Sequence, residues 1–435
     1  MPEPLLCGTL AVPENRLRPN GASISLKIVV VPATGARTLP PLYHLEGGPG
    51  FPATGSAPFW VTDGAIHRLH RDVVLVDQRG TGGSNALPCA INFASPFEPV
   101  LDLDATRACR YQLSPKGDLS QYTTAAAVAD IEAVRMKLGH ELIDLAGLSY
   151  GTRVAQQYVQ AHPKRVRAML LMGTVTPQEK LPLSFATNAH AVLMRLAQQC
   201  EADADCRRAV PKASADIATL RAKFAAGPVR ATLADKKSVT LQAGPFWEGV
   251  RALLATTASQ RRLPWLLHEA ARGRFAPILA AMPAQPDAAA NGLLLSVSCQ
   301  EDTLHITEAE LAPLRGTVFG DYRVRQQMAA CGVWPGSKLW RAGFVTSDVP
   351  VLLMAGDMDA VTPVQWAQDV ASGMGNARVV TIPYLGHFPD GMGNMECYDW
   401  VINDFFEKGS AADLDLSCIA TMKPPPFEVL GKLTP

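Results

Sequence analysis

The sequence predicts an α/β fold built on a mostly parallel sheet. Short, nearly continuous apolar runs at 72–77, 143–147 and 349–356 are typical of strands that are buried on both faces of such a sheet. Apolar residues at helical spacing, as over 124–138, alternate with these runs. The chain has 435 residues, enough for one large domain or two to three small ones. Alternation of strands and helices along such a length indicates an α/β protein.

The first part of the chain carries most of the predicted strands. They are expected at 7–13, 24–31, 41–45, 72–77, 143–147 and 166–172, with helices at 124–138 and 152–162. Thr124 is the expected N-cap of the first helix and Gly139 its stop, while Pro163 ends the second helix.

The pattern changes after residue 177. Helical patches at 189–199, 213–225, 249–255 and 263–272 replace the strands, together with a possible hairpin at 229–233 and 238–242. The α/β pattern returns with strands at 349–356 and 378–382 and helices at 363–372 and 396–407. We therefore predict a core made of 1–177 and 346–435, with a large, mainly helical lid inserted over 178–345.

Composition excludes several classes of protein. Forty Lys and Arg balance forty Asp and Glu, 48% of residues are hydrophobic and only 18% are charged. A disordered chain would have fewer apolar residues and more net charge, and a nucleic-acid binder would normally carry a positive field. No apolar run reaches the roughly 18 residues that a transmembrane helix needs. We expect neither a nucleic-acid partner nor a membrane span.

Nine cysteines are present, and none forms a CxxC pair that would indicate a zinc ribbon. The simplest of many possible pairings joins sequence neighbours and leaves Cys7 over: 89 with 109, 200 with 206, 299 with 331, and 397 with 418. The alternative is nine reduced, mostly buried thiols. Disulfides would place the protein in an oxidising compartment, secreted or periplasmic. The chain start has no basic segment followed by a long apolar one, so a signal peptide is absent or already removed. Cys7 is then a free thiol, or its partner lay in a removed segment.

The clearest chemical motif is Gly147-Leu148-Ser149-Tyr150-Gly151, which matches the nucleophile elbow G-x-S-x-G. An apolar strand precedes it and a helical pattern follows it, as an elbow requires. Ser149 would stand at the carboxyl end of a strand, and the N-terminus of the helix beginning near Tyr150 would point toward the reacting centre. The alternative is an ordinary strand-to-helix turn with an unreactive serine.

A serine nucleophile needs a base, and the base needs a carboxylate. His387 lies just past the last predicted strand, and two aspartates, Asp357 and Asp359, follow the preceding strand. The spacing favours Asp359 as the partner of His387, whereas Asp357 is expected to bond loop amides. His44 is ambiguous because it adjoins a glycine loop. The other histidines are expected to have no catalytic role.

Attack on a carbonyl also requires two N–H donors for the developing oxyanion. The backbone N–H of Tyr150 is one candidate, and the loop Glu46-Gly47-Gly48-Pro49-Gly50 can supply the second. Without the other motifs, this glycine-rich loop would be interpreted as an ordinary turn. Together with the candidate triad, it favours an oxyanion hole.

These motifs together resemble the proline iminopeptidase and tripeptidyl aminopeptidase family of α/β-hydrolases, including its TAP-like C-terminal region. The matching stretches run from about residue 7 to 418, and they include Asp77-Gln78-Arg79-Gly80, the glycine loop, the elbow and Gly386-His387. The resemblance implies an α/β-hydrolase fold, a triad of Ser149, Asp359 and His387, and an oxyanion hole from Gly48 and Tyr150. One departure is Gly173-Thr174, where members commonly carry Asp-Gly.

The resemblance also suggests that acidic residues bind the α-amino group of the substrate, with Glu46 and Glu301 as candidates. A structural role for each is the alternative. The predicted function is a serine exopeptidase that releases residues from peptide N-termini, or else an esterase or amidase on small acyl substrates. A non-catalytic binding module is a third, less favoured reading. No metal or organic cofactor is expected. Preferred residue, peptide length and oligomeric state are left open.

Overall fold

A computed structural model of the protein describes residues 5–91, 95–282, 289–339 and 343–429. Its strands are β1 (Leu6–Pro13), β2 (Ser23–Val31), β3 (Leu42–Leu45), β4 (Val73–Val76), β5 (Ile143–Leu148), β6 (Val166–Met172), β7 (Val229–Thr232), β8 (Ser238–Leu241), β9 (Val351–Gly356) and β10 (Ala377–Ile382).

The α-helices among these residues are α1 (Ala57–Val61), α2 (Leu103–Leu113), α3 (Thr124–Lys137), α4 (Tyr150–Ala161), α5 (Phe185–Ala202), α6 (Ala204–Ala209), α7 (Ala213–Ala225), α8 (Ala243–Leu253), α9 (Thr257–Ala271), α10 (Ala276–Ala281), α11 (Asn291–Glu301), α12 (Tyr322–Val333), α13 (Val364–Ala371) and α14 (Met395–Lys408). Short 3-10 helices cover Ala53–Ser56, Asp63–Arg68, Ser114–Lys116, Leu119–Gln121, Pro163–Arg165, Thr303–His305, Glu308–Gly316 and Ser417–Thr421.

Eight strands form one sheet in the order β1-β2-β4-β3-β5-β6-β9-β10. The pairings β1–β2 and β2–β4 are antiparallel, and the other strands of the sheet pair in parallel. The α/β fold class predicted from the sequence is confirmed. Because the carboxyl ends of the parallel strands meet at one edge, the loops after β3, β5, β9 and β10 are brought together there.

Hydrophobic cores lie on both faces of the sheet. Val154 of α4 and Val134 of α3 belong to the core on one face, and Phe405 of α14 and Trp60 of α1 belong to the core on the other. Parallel strands covered on both faces explain why β5 and β9 are apolar along their length. The continuous apolar runs in the sequence reflect this burial on both faces.

The segment between β6 and β9 has a core of its own. Leu193, Leu220, Phe246 and Leu263 pack together there, on helices α5, α7, α8 and α9. The two-stranded β7–β8 hairpin is present as predicted. The later part of the segment packs differently, because side chains of α11 and α12 join the core of the main sheet. That residues 178–345 form a lid separate from the core stays a prediction. The first part of this segment packs around its own hydrophobic core, whereas α11 and α12 pack partly against the main sheet.

Some local predictions need correction. Thr123, not Thr124, is the N-cap of α3, because its side chain accepts a hydrogen bond from the N–H of Ala126. Helix α11 was not predicted because nearly its whole circumference is buried, which removes the apolar periodicity of a surface helix. Gly139 ends α3 as predicted, with a φ of 72° in the left-handed region that glycine adopts easily.

The Asp77-Gln78-Arg79-Gly80 motif after β4 serves to anchor the core. Arg79 is fully buried, and its guanidinium forms two hydrogen bonds to the carboxylate of Asp130 on α3, at 2.6 and 2.7 Å. Asp77 accepts from the backbone N–H groups of Thr54 and Gly83, each at 2.8 Å. The buried Arg79–Asp130 ion pair and the hydrogen-bonded Asp77 carboxylate fix the loop after β4 against its neighbours.

The four disulfides follow the simplest pairing of sequence neighbours. They join Cys89 to Cys109, Cys200 to Cys206, Cys299 to Cys331 and Cys397 to Cys418. Cys7, on the edge strand β1, is an exposed free thiol.

A thiol count tests this framework. We expect about one reactive thiol per chain when the protein is denatured without reductant, and nine after reduction. A count of nine before reduction would show that the cysteines are reduced and would contradict the pairing.

Candidate active site

Ser149 stands on a sharp turn between β5 and α4. Its backbone has φ 53° and ψ −120°, a conformation that is costly for a residue with a β-carbon and is found at functional sites. The N–H of Ser149 donates a hydrogen bond to the carbonyl of Met172 at 2.8 Å. The N–H of Thr152 donates to the carbonyl of Ser149 at 2.9 Å. Ser149 is therefore fixed at the carboxyl edge of the sheet and is partly exposed.

Close packing leaves no room for a side chain at either glycine of the elbow, Gly147 or Gly151. A β-carbon at Gly151 would lie 2.0 Å from the carbonyl oxygen of Leu45, and one at Gly147 would lie 2.7 Å from the carbonyl oxygen of Gly151. These neighbours are backbone atoms that cannot move aside. Both glycines of the G-x-S-x-G motif are thus required by close packing of β3, β5 and α4.

Asp359 and His387 form a buried pair. His387 Nδ1 lies 2.8 Å from Asp359 Oδ2, and their side chains are only 4% and 1% exposed. The other oxygen, Asp359 Oδ1, accepts from the N–H groups of Val361 and Thr362 at 2.7 and 2.9 Å. A carboxylate held in this way favours the tautomer in which His387 Nδ1 carries the proton and Nε2 can act as a base.

Two further residues support this pair, and sequence reasoning did not assign them a role. Thr362 Oγ1 donates to Asp359 Oδ2 at 2.6 Å and lies 3.0 Å from His387 Nδ1. Gly173, which directly follows the strand residue bonded to Ser149, lies against the imidazole: a β-carbon there would come within 2.9 Å of His387 Cε1. The sequence did carry one signal for Gly173: residues 173–174 are Gly-Thr where members of the resembling family commonly carry Asp-Gly. A glycine at 173 leaves room for the His387 ring.

Asp357 has the loop-binding role expected of it. Its Oδ1 accepts from the N–H of Tyr384 at 2.5 Å, and its Oδ2 accepts from Arg195 of α5 at 2.6 Å. Asp357 thus links the loop before His387 to the segment between β6 and β9, and it does not pair with the imidazole.

The same segment also holds the His387 loop directly. Phe388 N–H donates to the carbonyl of Ala255 at 3.1 Å, and Gly386 N–H donates to the hydroxyl of Thr257 at 2.9 Å. The position of the histidine therefore depends on residues far from it in sequence, just before and at the start of α9.

The glycine loop after β3 approaches the elbow closely. A β-carbon at Gly47 would lie 3.2 Å from Ser149 Cβ and 3.8 Å from its Oγ. Gly48 has a φ of 110°, which side chains rarely permit. Tyr150 is the first residue of α4, and the first N–H groups of a helix have no partner within it. The structure therefore brings the loop residue before Gly48 against Ser149, and Tyr150 follows Ser149 directly. The role of Gly48 and Tyr150 as oxyanion donors remains a proposal.

Glu46, the first residue of this loop, is largely buried. Its Oε1 lies 2.9 Å from His44 Nε2, and its Oε2 accepts from the N–H of Gly47 at 3.2 Å. Burial alone would raise the pKa of Glu46, but the hydrogen bond and charge of His44 and the Gly47 N–H together hold the pKa below its usual value. Glu46 is an ionised carboxylate at the site at neutral pH.

Glu301 is placed elsewhere. Its two oxygens accept from the N–H and the hydroxyl of Thr124, at 2.7 and 2.6 Å, at the first turn of α3. Arg153 Nη1 is 3.8 Å from Glu301 and forms a tighter pair with Asp302 at 2.8 Å. Burial raises the pKa of Glu301, and it lines a different cavity from Glu46. This environment favours the structural alternative, and the substrate-binding role of Glu301 stays a prediction.

A cavity of about 640 Å³ opens beside the imidazole, and both Asp359 and His387 line it. Leu148 and Gly173, which flank Ser149 and its hydrogen-bond partner Met172, also line it, together with Glu46. Within the described residues, no group of three or more His, Cys, Asp or Glu side chains is arranged to hold a metal ion. None of the described helices is long and apolar enough to cross a membrane.

Comparison with known proteins identifies the family. A family model described as the alpha/beta hydrolase fold matches residues 40–389. The chain belongs to this family. The matched region extends from the strand before the glycine loop to just past His387, so it includes every residue of the candidate site.

Several curated proteins are similar to this α/β-hydrolase. A serine protease Hip1 from Mycobacterium bovis is 32% identical over 195 residues, which cover 41% of this chain and 37% of the relative. A tripeptidyl aminopeptidase from Streptomyces lividans is 28% identical over 200 residues, covering 41% of this chain and 36% of the relative. A probable proline iminopeptidase from Streptomyces coelicolor is 33% identical over 136 residues, which cover 31% of this chain and 33% of the relative. The resemblance to this group is confirmed, while each match spans only 33–37% of the relative's length.

Proposed function

We propose that this α/β-hydrolase is a serine hydrolase that acts through an acyl-enzyme, and that it is an exopeptidase releasing residues from peptide N-termini. The observation that carries the proposal is the buried Asp359–His387 pair at the same sheet edge as the Ser149 elbow. The relatives named as a serine protease, a tripeptidyl aminopeptidase and a proline iminopeptidase support the choice of peptides as substrates.

Each residue then has a defined step. Ser149 Oγ attacks the carbonyl carbon while His387 Nε2 takes its proton, and Asp359 stabilises the imidazolium that forms. The N–H groups of Gly48 and Tyr150 bind the oxyanion. The imidazolium protonates the leaving amine, and the acyl-enzyme remains. A water molecule, deprotonated by His387, then releases the acyl group and restores Ser149.

Glu46 is the stronger candidate for recognising the α-ammonium group of the substrate. It is ionised, it is the first residue of the glycine loop, and it lines the cavity beside His387. A buried carboxylate favours a cationic amine over a neutral blocked one, because a charge-assisted hydrogen bond is lost when the amine is acylated.

Comparison of free and N-acetylated peptides tests this part of the proposal. We expect kcat/KM for a fluorogenic tripeptide amide to fall by about tenfold or more when its N-terminus is acetylated, the cost of about one charge-assisted hydrogen bond. Equal turnover of the two forms would remove amine recognition and leave an endopeptidase or a general amidase.

An esterase or amidase is the second candidate, because most of the residues that line the cavity are apolar. Faster turnover of short nitrophenyl esters than of all peptide amides, with no effect of N-acetylation, would favour it. The four disulfides support the further proposal that the protein acts in an oxidising compartment outside the cytoplasm, secreted or periplasmic.

A further inference from the structure

The loop that carries Asp359 is anchored in the hydrophobic core of the segment between β6 and β9. Met358 and Ala360, the two neighbours of Asp359 in sequence, are 1% and 3% exposed and belong to the same core as Leu263 of α9. Asp359 itself pairs with His387. The backbone on both sides of the candidate acid is therefore held by a core that is distinct from the two cores of the main sheet.

A buried glutamine on the first turn of α9 binds the peptide group just before Asp359. Gln260 is 1% exposed, and its Nε2 donates to the carbonyls of Met358 and Leu254, at 2.9 and 2.7 Å. The Met358 carbonyl belongs to the peptide that joins Met358 to Asp359. Because an amide nitrogen carries two protons, these two bonds use the full donor capacity of Gln260. Gln260 thus ties the loop of the acid to the residues that precede α9.

The same helix start binds the backbone on both sides of His387. Gly386 N–H donates to Thr257 Oγ1 at 2.9 Å, and Phe388 N–H donates to the carbonyl of Ala255 at 3.1 Å. Thr257 is fully buried. A β-carbon at Gly386 would lie 3.1 Å from both the carbonyl oxygen of Ala255 and the backbone nitrogen of Thr257. The His387 loop therefore lies directly against the start of α9.

The loops of the acid and the base are thus held by one short stretch, residues 255–260. The two loops also touch each other, since Met358 N–H donates to the carbonyl of Leu385 at 3.0 Å. A buried donor or acceptor that loses its partner is costly, so removal of one of these side chains favours a shift of the loop that it binds. A displacement of about 1 Å in a catalytic group can cost about 10²-fold in rate.

We propose that Thr257 and Gln260 are positioning residues for the Asp359–His387 pair, and that the first turn of α9 sets the separation of the two side chains. Neither residue contacts the reacting atoms, because both act through the backbone of the loops that they bind. The start of α9 is then part of the catalytic apparatus and not only of a cover over the substrate. This inference rests on the catalytic role that the proposed function gives to Asp359 and His387.

Thr257→Val and Gln260→Met test the proposal, because each removes the side-chain hydrogen bonds with little change in size. We expect each to lower kcat by about tenfold or more and to change KM by less than about twofold. Thr257→Ser keeps the hydroxyl and should restore kcat to within about threefold of the parent value. Thr219→Val is the matched control, because the hydroxyl of this exposed threonine on α7 donates to the carbonyl of Ala215, and kcat should not change.

Labelling with a serine-directed organophosphate separates misplacement of the pair from unfolding. In Thr257→Val and Gln260→Met the rate of labelling should fall in proportion to kcat, while the final labelled fraction stays the same as in the parent protein. A reduced labelled fraction at an unchanged rate would show that these residues only keep the chain folded, and it would overturn the positioning role. A change in KM alone would overturn it as well, because it would place their effect in substrate binding.

Crystal structures decide the claim even if the proposed function fails. In a Ser149→Ala background, addition of Thr257→Val or Gln260→Met should move His387 Nδ1 beyond the hydrogen-bond range of about 3.2 Å from Asp359 Oδ2. Absence of any hydrolysis or labelling in the parent protein would remove the proposed function, and this distance would still test the positioning role. An unchanged Asp359–His387 pair in both variants would overturn it, and if Thr257→Val fails to fold, Gln260→Met gives the same test.

Discussion

Ser149→Ala is expected to lower kcat/KM by about 10⁴-fold or more on every peptide or ester that the protein hydrolyses. The reason is that the Ser149 hydroxyl forms the acyl-enzyme in the proposed mechanism, and removal of a serine nucleophile leaves only the contributions of binding and the oxyanion hole. Hydrolysis rates of the variant and the parent protein under identical conditions measure the effect.

The substitution should leave the fold intact. Ser149 is held through backbone hydrogen bonds that alanine retains. Thermal unfolding should therefore be nearly unchanged. Ser372→Ala is a matched control, because Ser372 is an exposed serine at the C-cap of α13 whose hydroxyl donates to the carbonyl of Asp369. Turnover by Ser149→Ala at a rate close to that of Ser372→Ala would contradict the assignment.

Asp359→Asn has the second-largest expected effect, a loss of about 10³- to 10⁴-fold in kcat. An amide can no longer stabilise the imidazolium, and it can orient the ring in the wrong tautomer. The same change at Asp357 provides the control two residues away. Asp357→Asn should cost no more than about tenfold, because that side chain holds Tyr384 and Arg195 and does not contact His387. A larger loss at Asp357 than at Asp359 would show that the acid has been misassigned.

The sequence predicted the parts of the site that depend on local rules. The elbow around Ser149 is recognisable because close packing forces glycines at fixed positions, and Asp359 follows from its place after a strand. The sheet could be predicted because strands buried on both faces read as continuous apolar runs. The disulfides followed the simplest pairing, although the sequence alone did not exclude others.

What could not be predicted depends on long-range contacts. Thr362 and Gly173 support the Asp359–His387 pair only because three loops meet at the sheet edge. The capture of both Glu301 oxygens by Thr124 requires α11 and α3 to be adjacent, which no local pattern encodes. Helix α11 was missed for the related reason that a fully buried helix loses its periodicity.

Labelling with a serine-directed organophosphate, followed by intact mass measurement and peptide mapping, tests the central claim most directly. We expect one adduct per chain, located on the peptide that contains Ser149, with loss of activity in proportion to labelling. We expect no adduct in Ser149→Ala. An active protein that stays unlabelled, or a label that persists in Ser149→Ala, would contradict a mechanism based on this serine.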